Sequence, residues 1–408
     1  MINLKQFIVE EKNTHMTHIE ELMFLGGIAG TKQAIDFLRD LRDMLKGNAT
    51  SAVDITVKWD GAPAIFAGVD PADGKFFVAK KGLFNKEPAM YKTPADIKNA
   101  LSGELAKKFT TALAEFSKLG IKKGVYQGDM MFTKGDVKVE TIDGQKYYTF
   151  QPNTIVYAVP VSTPLGRQIA KAKIGVVWHT TYTGSTIQNM SAAFGKGIAS
   201  KFKKTASIWM DDATYRDISG KATFSKKELS QFNTMLSGAG KLFQKMNGDA
   251  FRTITQDEEL RQKVMTFVNT YVRGSKTFPA SDKMATDLVL YLNEWFQKEI
   301  DKKKTEKAKD AWKERRNILV NKVAMNKSQL VAMFSLMKIL VELKGMVINQ
   351  LDKTQEVDTL LKTAKGFQVT KQEGFVAIDK LKGGAVKLVD RLEFSRANFS
   401  PEIIKGWQ

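Results

Sequence analysis

The sequence predicts an α+β fold in which antiparallel sheets are interrupted by a large all-α insertion. Three observations lead to this expectation. Seven of the nine prolines lie before residue 185, among short runs of β-forming residues. No glycine or proline occurs in residues 281–344, where helical stretches are expected. Strand-like runs then return after about residue 365.

The N-terminal region, residues 1–184, alternates strand-like runs with tight turns. Residues 55–58, 64–69 and 75–80 are β-type runs, separated by the turn sequences Asp-Gly and Asp-Pro-Ala-Asp-Gly. Further strands are expected at residues 124–132, 137–141, 147–150, 154–159 and 174–181. Helices are expected at about residues 17–46 and 94–118, where apolar residues recur at helical spacing.

The C-terminal tail is too short to bury a core of its own. Its strand-like runs are therefore expected to complete the sheet begun by the N-terminal region. The sequence predicts one discontinuous domain, made of residues 1–184 and 365–408, and a helical insertion at residues 185–364. Within the insertion, long helices are expected at residues 226–246, 256–273 and 282–345.

Charge and composition narrow the class of partner. The chain has 63 Lys and Arg against 44 Asp and Glu, a net charge of +19, which favours polyanions and above all nucleic acid. No segment approaches the roughly 18 to 20 apolar residues of a membrane span, so no membrane partner is expected. Zero cysteines exclude thiol catalysis and cysteine zinc sites, and only His15, His18 and His179 are available for histidine sites. A cytoplasmic location is expected.

Residues 301–327 carry the densest charge. They hold ten Lys or Arg and four acids, ten minus four, or +6. Two interpretations are open: a solvated helix face laced with ion pairs, or a nucleic-acid contact surface. In the second interpretation the contacts are Lys302, Lys303, Lys304, Arg315 and Arg316.

The segment Lys58-Trp59-Asp60-Gly61 follows a predicted strand. A lysine amine that attacks phosphorus needs a pKa below its ordinary value near 10.4, which burial and neighbouring cations provide. The Asp-Gly turn would hold that amine rigidly at the lip of a pocket. The alternative is an exposed lysine at a strand end.

Four further segments follow Lys58 in a fixed order. They are Val125-Tyr126-Gln127-Gly128-Asp129, the strand Lys173 to His179 with Trp178, the element Glu373-Gly374-Phe375-Val376, and Val386-Lys387-Leu388-Val389. In this order the segments resemble the covalent nucleotidyltransferases, the superfamily of ATP-dependent RNA and DNA ligases and mRNA capping enzymes. The resemblance covers roughly residues 50–184 and 365–395, and it implies an ATP-grasp-like ligase adenylation domain.

The resemblance assigns roles residue by residue. It implies that Lys58 is the nucleophile, which takes AMP from ATP as a covalent lysyl-AMP. Glu373 and Asp129 match the carboxylates that bind Mg²⁺ or Mn²⁺. The positions implied to contact the nucleotide are Asp60, Gly61, Lys81, Asp129, Trp178 and Lys387. Tyr157 is a second choice for the aromatic that stacks on the base, and Lys80 an alternative to Lys81.

Two positions depart from the family's pattern. Asp129 stands where the family's strand carries a glutamate, and Val389 where many ligases have a second lysine. Arg391 or Lys382 would have to supply the missing phosphate contact. These departures favour a rival interpretation, a nucleic-acid-binding protein that kept the fold and lost catalysis. A helical interaction protein with accidental motifs is a third, which must explain the motif order as coincidence.

Within the superfamily, RNA ligation is expected first. The stretch after Lys387, positions 388–408, is too short for the OB-fold that DNA ligases and capping enzymes usually carry there. The expected activity is an RNA ligase that joins 5′-phosphate and 3′-hydroxyl ends. A DNA ligase acting on nicked DNA and a GTP-using capping-type enzyme are the alternatives. The absence of cysteine and the compact motifs would also suit a viral enzyme acting in the host cytoplasm.

Overall fold

The computed structural model describes residues 17–46, 53–194, 197–213, 223–246, 248–354, 357–364, 366–379 and 385–406. Over these residues the protein is a mixed α+β fold with sheets that are largely antiparallel, as the sequence predicts. His15 and Lys382, considered above as candidate site residues, lie outside the described residues.

The strands of the described residues are short and concentrated in two parts of the chain. They are β1 (Thr17–His18), β2 (Val53–Lys58), β3 (Ala64–Val69), β4 (Phe76–Ala79), β5 (Val125–Thr133), β6 (Lys138–Ile142), β7 (Gln145–Phe150), β8 (Ile155–Pro160), β9 (Ile174–Thr183), β10 (Ser191–Phe194), β11 (Ile208–Asp212), β12 (Asp358–Thr363), β13 (Gly366–Val369), β14 (Gly374–Asp379) and β15 (Ala385–Leu388).

The helices are longest between the two groups of strands. They are α1 (Leu22–Leu45), α2 (Pro94–Ala100), α3 (Gly103–Phe116), α4 (Pro164–Lys171), α5 (Lys226–Lys245), α6 (Gly248–Gln256), α7 (Glu258–Arg273), α8 (Ser281–Asp301), α9 (Glu306–Met325), α10 (Lys327–Leu351) and α11 (Arg391–Phe399).

A four-stranded sheet joins the two ends of the chain, in the order β1-β15-β14-β2. Strand β2 is antiparallel to β14, with Lys58 opposite Gly374. Strand β14 is antiparallel to β15, with Val376 opposite Lys387. The C-terminal strands thus return to pair with a strand of the N-terminal region, as expected from the small size of the tail.

Two more sheets complete the β-rich part. A six-stranded sheet has the order β10-β9-β5-β3-β4, and β11 pairs in parallel with β9. On its strand β5, Asp129 lies opposite Ala64 of β3 and Val177 of β9. A five-stranded sheet, β13-β12-β8-β7-β6, gives β12 of the C-terminal region a place beside β8.

The helices pack as a bundle against one face of the four-stranded sheet. Burial of apolar side chains drives this packing, because the helices from α5 to α10 and the sheet contribute to one continuous core that also includes α1. The strand residues that enter it are Ile55, Phe375, Ala377, Val386 and Leu388. Since strand side chains alternate, the opposite face of this sheet is left for other residues.

A buried ion pair fixes the N-terminal segment to the bundle. Lys344 of α10 donates to both carboxylate oxygens of Glu20 at 2.8 Å, and each side chain is only 3% exposed. Arg391, at the start of α11, lies 2.9 Å from Glu21 and 3.6 Å from Glu20. Three distant parts of the chain therefore meet beside β1.

The helical part covers a shorter stretch of the chain than the sequence predicts. Residues 185–213 hold β10 and β11 with short 3-10 turns, because these strands add to the edge of β9. Residues 358–363 form β12 for the same reason, since β8 offers an edge. The helix expected at 94–118 is broken between α2 and α3, and the one at 282–345 is three helices. None of the helices in the described ranges is both long and apolar enough to cross a membrane.

Candidate active site

Lys58 and Glu373 form an ion pair at the end of the four-stranded sheet. Lys58 is the last residue of β2, and Glu373 immediately precedes β14, whose first residue lies opposite Lys58. The register of this antiparallel pair therefore brings the two side chains together. The Lys58 side chain is 25% exposed and that of Glu373 only 7%, so the lysine is the more accessible member of the pair.

Lys387 lies on the same face of this sheet. Its neighbours Val386 and Leu388 point into the helical core, so alternation turns Lys387 to the opposite side. It stands opposite Val376, which lines the cavity described below. Burial lowers the pKa of Lys387, and the positive charge of Lys58 lowers it further. The two lysines are thus close enough to repel each other.

Two glycines of the motifs allow the backbones to approach closely. A Cβ atom on Gly61 would lie 2.5 Å from the Cβ of Asp129. Gly374 has φ +152°, and a Cβ there would lie 2.4 Å from the carbonyl oxygen of Leu388. Side chains at these positions would push β5 away from Lys58 and β15 away from β14. The glycines of both motifs therefore position the site.

The carboxylate of Asp60 is hydrogen-bonded to other groups of the protein. It is 4% exposed and accepts hydrogen bonds from the Asn153 side chain (2.7 Å) and from the backbone N–H groups of Thr154 (2.8 Å) and Ile155 (2.9 Å). The Asp60 N–H donates to the Tyr157 hydroxyl at 2.7 Å. Asp60 thus anchors the turn after Lys58 to the start of β8, and its contact with a nucleotide stays a prediction.

A cavity opens beside Lys58, and we call it the Lys58 cavity. One end is polar and holds Lys58, Asp129 and His179. The remaining wall is largely apolar and is formed by Thr56, Val57, Trp59, Val177, Phe194, Ala213, Val376 and Ile378.

The cavity lies between two sheets. Strands β2 and β14 supply one wall, while β5, β9 and β10 supply the other. Ala213 connects the walls, since its carbonyl accepts a hydrogen bond from Val57 N–H at 2.5 Å and its N–H donates to the Trp178 carbonyl at 3.1 Å. Asp129 and His179 face each other within the cavity, with 3.7 Å between Oδ2 and Nε2.

Opposing influences set the protonation of the Lys58–Glu373 pair. Burial alone would lower the pKa of Lys58, but the contact with Glu373 and the charges of Asp129 and Asp60 together raise that pKa. Burial raises the pKa of Glu373 to about 7, although Lys58 acts to lower it. Of the acids around Lys58, Glu373 therefore contributes most to keeping the amine protonated.

The expectation that Trp178 stacks on the base is wrong. Its side chain is fully buried, and it packs against Phe116 and Phe202 with ring centroids 5.3 and 5.4 Å apart. The reason is strand alternation, because Val177 and His179, on either side, face the Lys58 cavity. Tyr157, the second choice, is also fully buried, and its hydroxyl accepts a hydrogen bond from Asp60 N–H.

Sequence reasoning missed two cavity residues, His179 and Phe194. His179 directly follows Trp178. Side chains alternate along a strand, so placing Trp178 in the core would have placed His179 on the opposite face of β9. Its position also depends on a register shift, since Gln127 pairs with Thr180 but Gly128 pairs with Trp178. Phe194 ends the short strand β10, in a segment that carries no motif.

Two more expected contacts are not found where the resemblance puts them. Lys81 is exposed and does not line the Lys58 cavity, because it follows the edge strand β4, which β3 separates from β5. Val389 is buried. Arg391, a candidate for the missing phosphate contact, is held instead by Glu21 and Asn269.

Many cations of residues 301–327 are paired within the helices. Lys302, Lys309 and Lys313 each pair with an acid three residues earlier in the chain, at 2.6 to 2.8 Å. Arg315 pairs with Glu259 of α7 at 2.7 Å, and Lys303 lies 4.3 Å from the ring centre of Trp312. Arg316 donates to the Gln297 side chain, and Lys304 is exposed. The ion-paired helix face is the interpretation that these contacts favour.

The carboxylates near Lys58 do not form a complete metal cage. Among the described residues, no group of three or more His, Asp or Glu side chains is placed to hold a metal ion. Mg²⁺ ordinarily binds to one or two carboxylates and completes its shell with phosphate oxygens and waters. Glu373 and Asp129, both close enough to raise the pKa of Lys58, suit a metal that arrives with a nucleotide.

Comparison with known proteins gives a family match. A family model described as a family of unknown function, DUF6267, matches residues 13–403. No curated protein and no solved structure matches the chain. The match thus spans the sheets, the Lys58 cavity and the helical bundle together.

Proposed function

Because the chain belongs to the DUF6267 family, whose function is unknown, we propose its function from the Lys58 site: an ATP-dependent polynucleotide ligase that works through lysyl-AMP. One observation carries this proposal. Lys58, Glu373 and Lys387 come from motifs at opposite ends of the chain and meet on one face of one sheet. A nucleotidyltransferase fold for the sheets is part of the same proposal.

Lys58 performs the first step. Its Nζ attacks the α-phosphorus of ATP, a nitrogen–phosphorus bond forms, and the bond to the departing pyrophosphate breaks. The amine must lose its proton to water before the attack. Withdrawal of the Glu373 carboxylate leaves burial as the main influence on Lys58, and burial lowers its pKa. Pairing with Glu373 therefore protects the amine until the nucleotide is in place.

Glu373 and Asp129 would hold a divalent cation together with the phosphates of the nucleotide. Mg²⁺ or Mn²⁺ there would supply positive charge where negative charge develops on the transferring phosphoryl group. Lys387, directed to the same side as Lys58, supplies a second positive charge for the α-phosphate.

The apolar part of the Lys58 cavity accommodates the base. Phe194 is half-buried on one wall, and Val376 faces the cavity from the other. A planar base between them would stack on an aromatic ring and bury its second face against an aliphatic side chain. Phe194 thus takes the role that Trp178 cannot.

The later steps follow from the resemblance. An oxygen of a strand's 5′-phosphate attacks the AMP phosphorus, the bond to Lys58 breaks, and the amine regains a proton. A 3′-hydroxyl then displaces AMP and closes the phosphodiester bond. RNA is the strand we expect first, with nicked DNA second.

Labelling with nucleotide tests the proposal. The protein is incubated with ATP or GTP labelled at the α-phosphate, with Mg²⁺ or Mn²⁺, and denatured before electrophoresis. We expect a hydroxylamine-labile protein adduct from ATP that is absent in Lys58→Ala. Nicked RNA and nicked DNA duplexes added to the adduct then identify the strand that is joined.

Each other outcome selects another interpretation. Label from GTP alone indicates a capping-type enzyme. Absence of label from both nucleotides, in protein that binds nucleic acid, indicates a binding protein that has lost catalysis. The departure at Asp129 is the feature that would explain that result, and Asp129→Glu would then be the variant to label.

A further inference from the structure

A compact group of exposed lysines lies on two neighbouring loops of the six-stranded sheet. One loop precedes β5 and the other precedes β11. We call this group the basic patch, and it consists of Lys122, Lys123, Lys201, Lys203 and Lys204. All five side chains are exposed. In the sequence, residues 196–210 contain four lysines and no acid.

The two loops are held together by the backbone. Lys203 N–H donates to the carbonyl of Leu119 at 2.9 Å. A Cβ atom built on Gly120 would lie 3.9 Å from the Cβ of Lys203. The lysines that follow Gly120 in the chain, Lys122 and Lys123, therefore lie near those of the second loop.

An aromatic anchor holds the second loop rigidly. Phe202 is 6% exposed, and its ring packs against Tyr126 at 4.8 Å and Trp178 at 5.4 Å. Its neighbours Lys201 and Lys203 remain exposed. Insertion of Phe202 thus fixes the loop while the lysines on either side keep contact with solvent.

The basic patch differs from the cations of the helices in having no acidic partners. Among the described residues, none of its five lysines forms an ion pair. Glu115, the nearest acid of α3, is taken by Lys118, Lys173 and the Ser207 hydroxyl. The positive charge of the patch is therefore uncompensated, in contrast to that of Lys302, Lys309 and Lys313.

The second loop of the basic patch is connected at both of its ends to strands beside the Lys58 cavity. It joins β10, whose last residue Phe194 lines the cavity, to β11, which is followed by the cavity residue Ala213. Within that loop, Ala199 N–H donates to Asp212 at 2.7 Å, next to Ala213. Phe202 packs on Trp178, whose side chain points away from the cavity, so the lysines beside Phe202 lie towards the other face of the six-stranded sheet.

We propose that the basic patch binds the phosphate backbone of the polynucleotide substrate. This inference rests on the proposed ligase function and moves the strand contact away from the α8–α9 helices. Lysines that release counterions on contact with phosphates give sequence-independent affinity that falls with salt. Such contacts would let a ligase accept ends of any sequence.

Charge-neutralising variants test the inference. In the patch variant, the five lysines of the basic patch are changed to glutamine. A matched control changes five exposed lysines of α8, α9 and the turn between them, namely Lys298, Lys302, Lys304, Lys307 and Lys313, to glutamine. Both variants lose the same charge. Binding to a labelled single-stranded RNA and a nicked RNA duplex is measured over a range of salt, and adduct formation with ATP is measured separately.

We expect the patch variant to bind at least ten-fold more weakly, with adduct formation unchanged. The slope of log affinity against log salt should fall by about 0.7 for each lysine that contacts a single-strand phosphate. The control should bind as the unmodified protein does. Binding unchanged in the patch variant, or weakened equally in both variants, overturns the inference and leaves the ligase proposal intact. Absence of binding by the unmodified protein overturns it as well, and adduct formation then decides the proposed function independently.

Discussion

The Lys58 amine is held by the Glu373 carboxylate, although the two residues belong to strands from opposite ends of the chain. The pair is asymmetric, because Glu373 is nearly buried and Lys58 is a quarter exposed. This contact sets the reactivity of the amine. Burial would favour a neutral lysine, and Glu373, with Asp129 and Asp60, reverses that preference.

Glu373→Gln should therefore lower the pKa of Lys58. The substitution keeps the shape of the side chain and removes its charge. Burial and the positive charge of Lys387 then lower the pKa of Lys58 without the opposing charge of Glu373. The rate at which an amine-reactive reagent modifies Lys58 should rise at neutral pH, and its pH profile should shift to lower pH. Peptide mapping by mass spectrometry measures this site by site.

Glu294→Gln on α8 is the matched control, because this acid is exposed and distant in the chain from Lys58. Its Lys58 profile should equal that of the unmodified protein. A Lys58 profile that is the same in Glu373→Gln and in the control would contradict the role of the pair.

Asp60→Asn should destabilise the protein. The buried carboxylate accepts three hydrogen bonds, and an amide in its place would direct an N–H group at one of the donors. The cost should be about 1–3 kcal/mol of unfolding free energy. Chemical denaturation measures it, with Asp143→Asn in an exposed turn as the control. A loss no larger than that of the control would mean that Asp60 does not anchor the turn.

Phe194 and Trp178 should respond to substitution in different ways. Phe194→Ala should weaken the binding of ATP, since base stacking on an aromatic ring contributes about 1–3 kcal/mol, roughly 5- to 150-fold in affinity. Trp178→Phe should lower the melting temperature and leave the ATP dependence unchanged, because Trp178 lies in the core. Adduct formation at varied ATP concentration separates these effects. Loss of ATP affinity in Trp178→Phe alone would restore the original assignment.

The architecture was predictable where single segments carry strong patterns. The Lys58 and Glu373 motifs both lie at strand ends, and the short tail had to pair with earlier strands. The positions of Lys58, Glu373 and Lys387 on one face then follow from alternation and register. The strand patterns are local signals, which a sequence displays directly, whereas the register between β2 and β14 is known only from the structure.

Other features depend on packing between distant segments and could not be predicted. Trp178 looks suitable for a base, yet Phe202, from a loop without a motif, covers it. The carboxylate of Asp60 looks available, yet the backbone of residues 154 and 155 occupies it. The charge of residues 301–327 looks free, yet acids one helical turn away pair with much of it. Each of these outcomes depends on tertiary contacts that motif spacing does not encode.

His18 should make stability depend on pH. Burial, together with the positive charges of Lys344, Arg391 and Lys387, lowers its pKa to about 3 against the opposing charge of Glu20. Below pH 6.5 the unfolded chain binds a proton that the folded protein excludes, so stability falls as the pH drops from 6.5 towards 3. Glu373, with its pKa raised to about 7, acts in the opposite direction between pH 7 and 4.5.

Comparison with His18→Gln isolates the histidine, because Glu373 titrates in both proteins. Unfolding free energies measured by denaturant at pH 6.5 and pH 5 should differ more in the unmodified protein than in His18→Gln. His179→Gln serves as a control, because His179 is a partly exposed histidine of the Lys58 cavity. An equal pH dependence in the unmodified protein and His18→Gln would show that the fold does not prevent protonation of His18.

Mapping of the modified residue tests the central claim most directly. The protein is incubated with ATP and Mg²⁺, digested, and the peptide that contains Lys58 is analysed by mass spectrometry, beside Lys58→Arg treated in the same way. The account predicts that Lys58 gains the mass of one AMP, with release of pyrophosphate, and that Lys58→Arg gains none. AMP on a different lysine, or no AMP on protein that is shown to be folded, would contradict it.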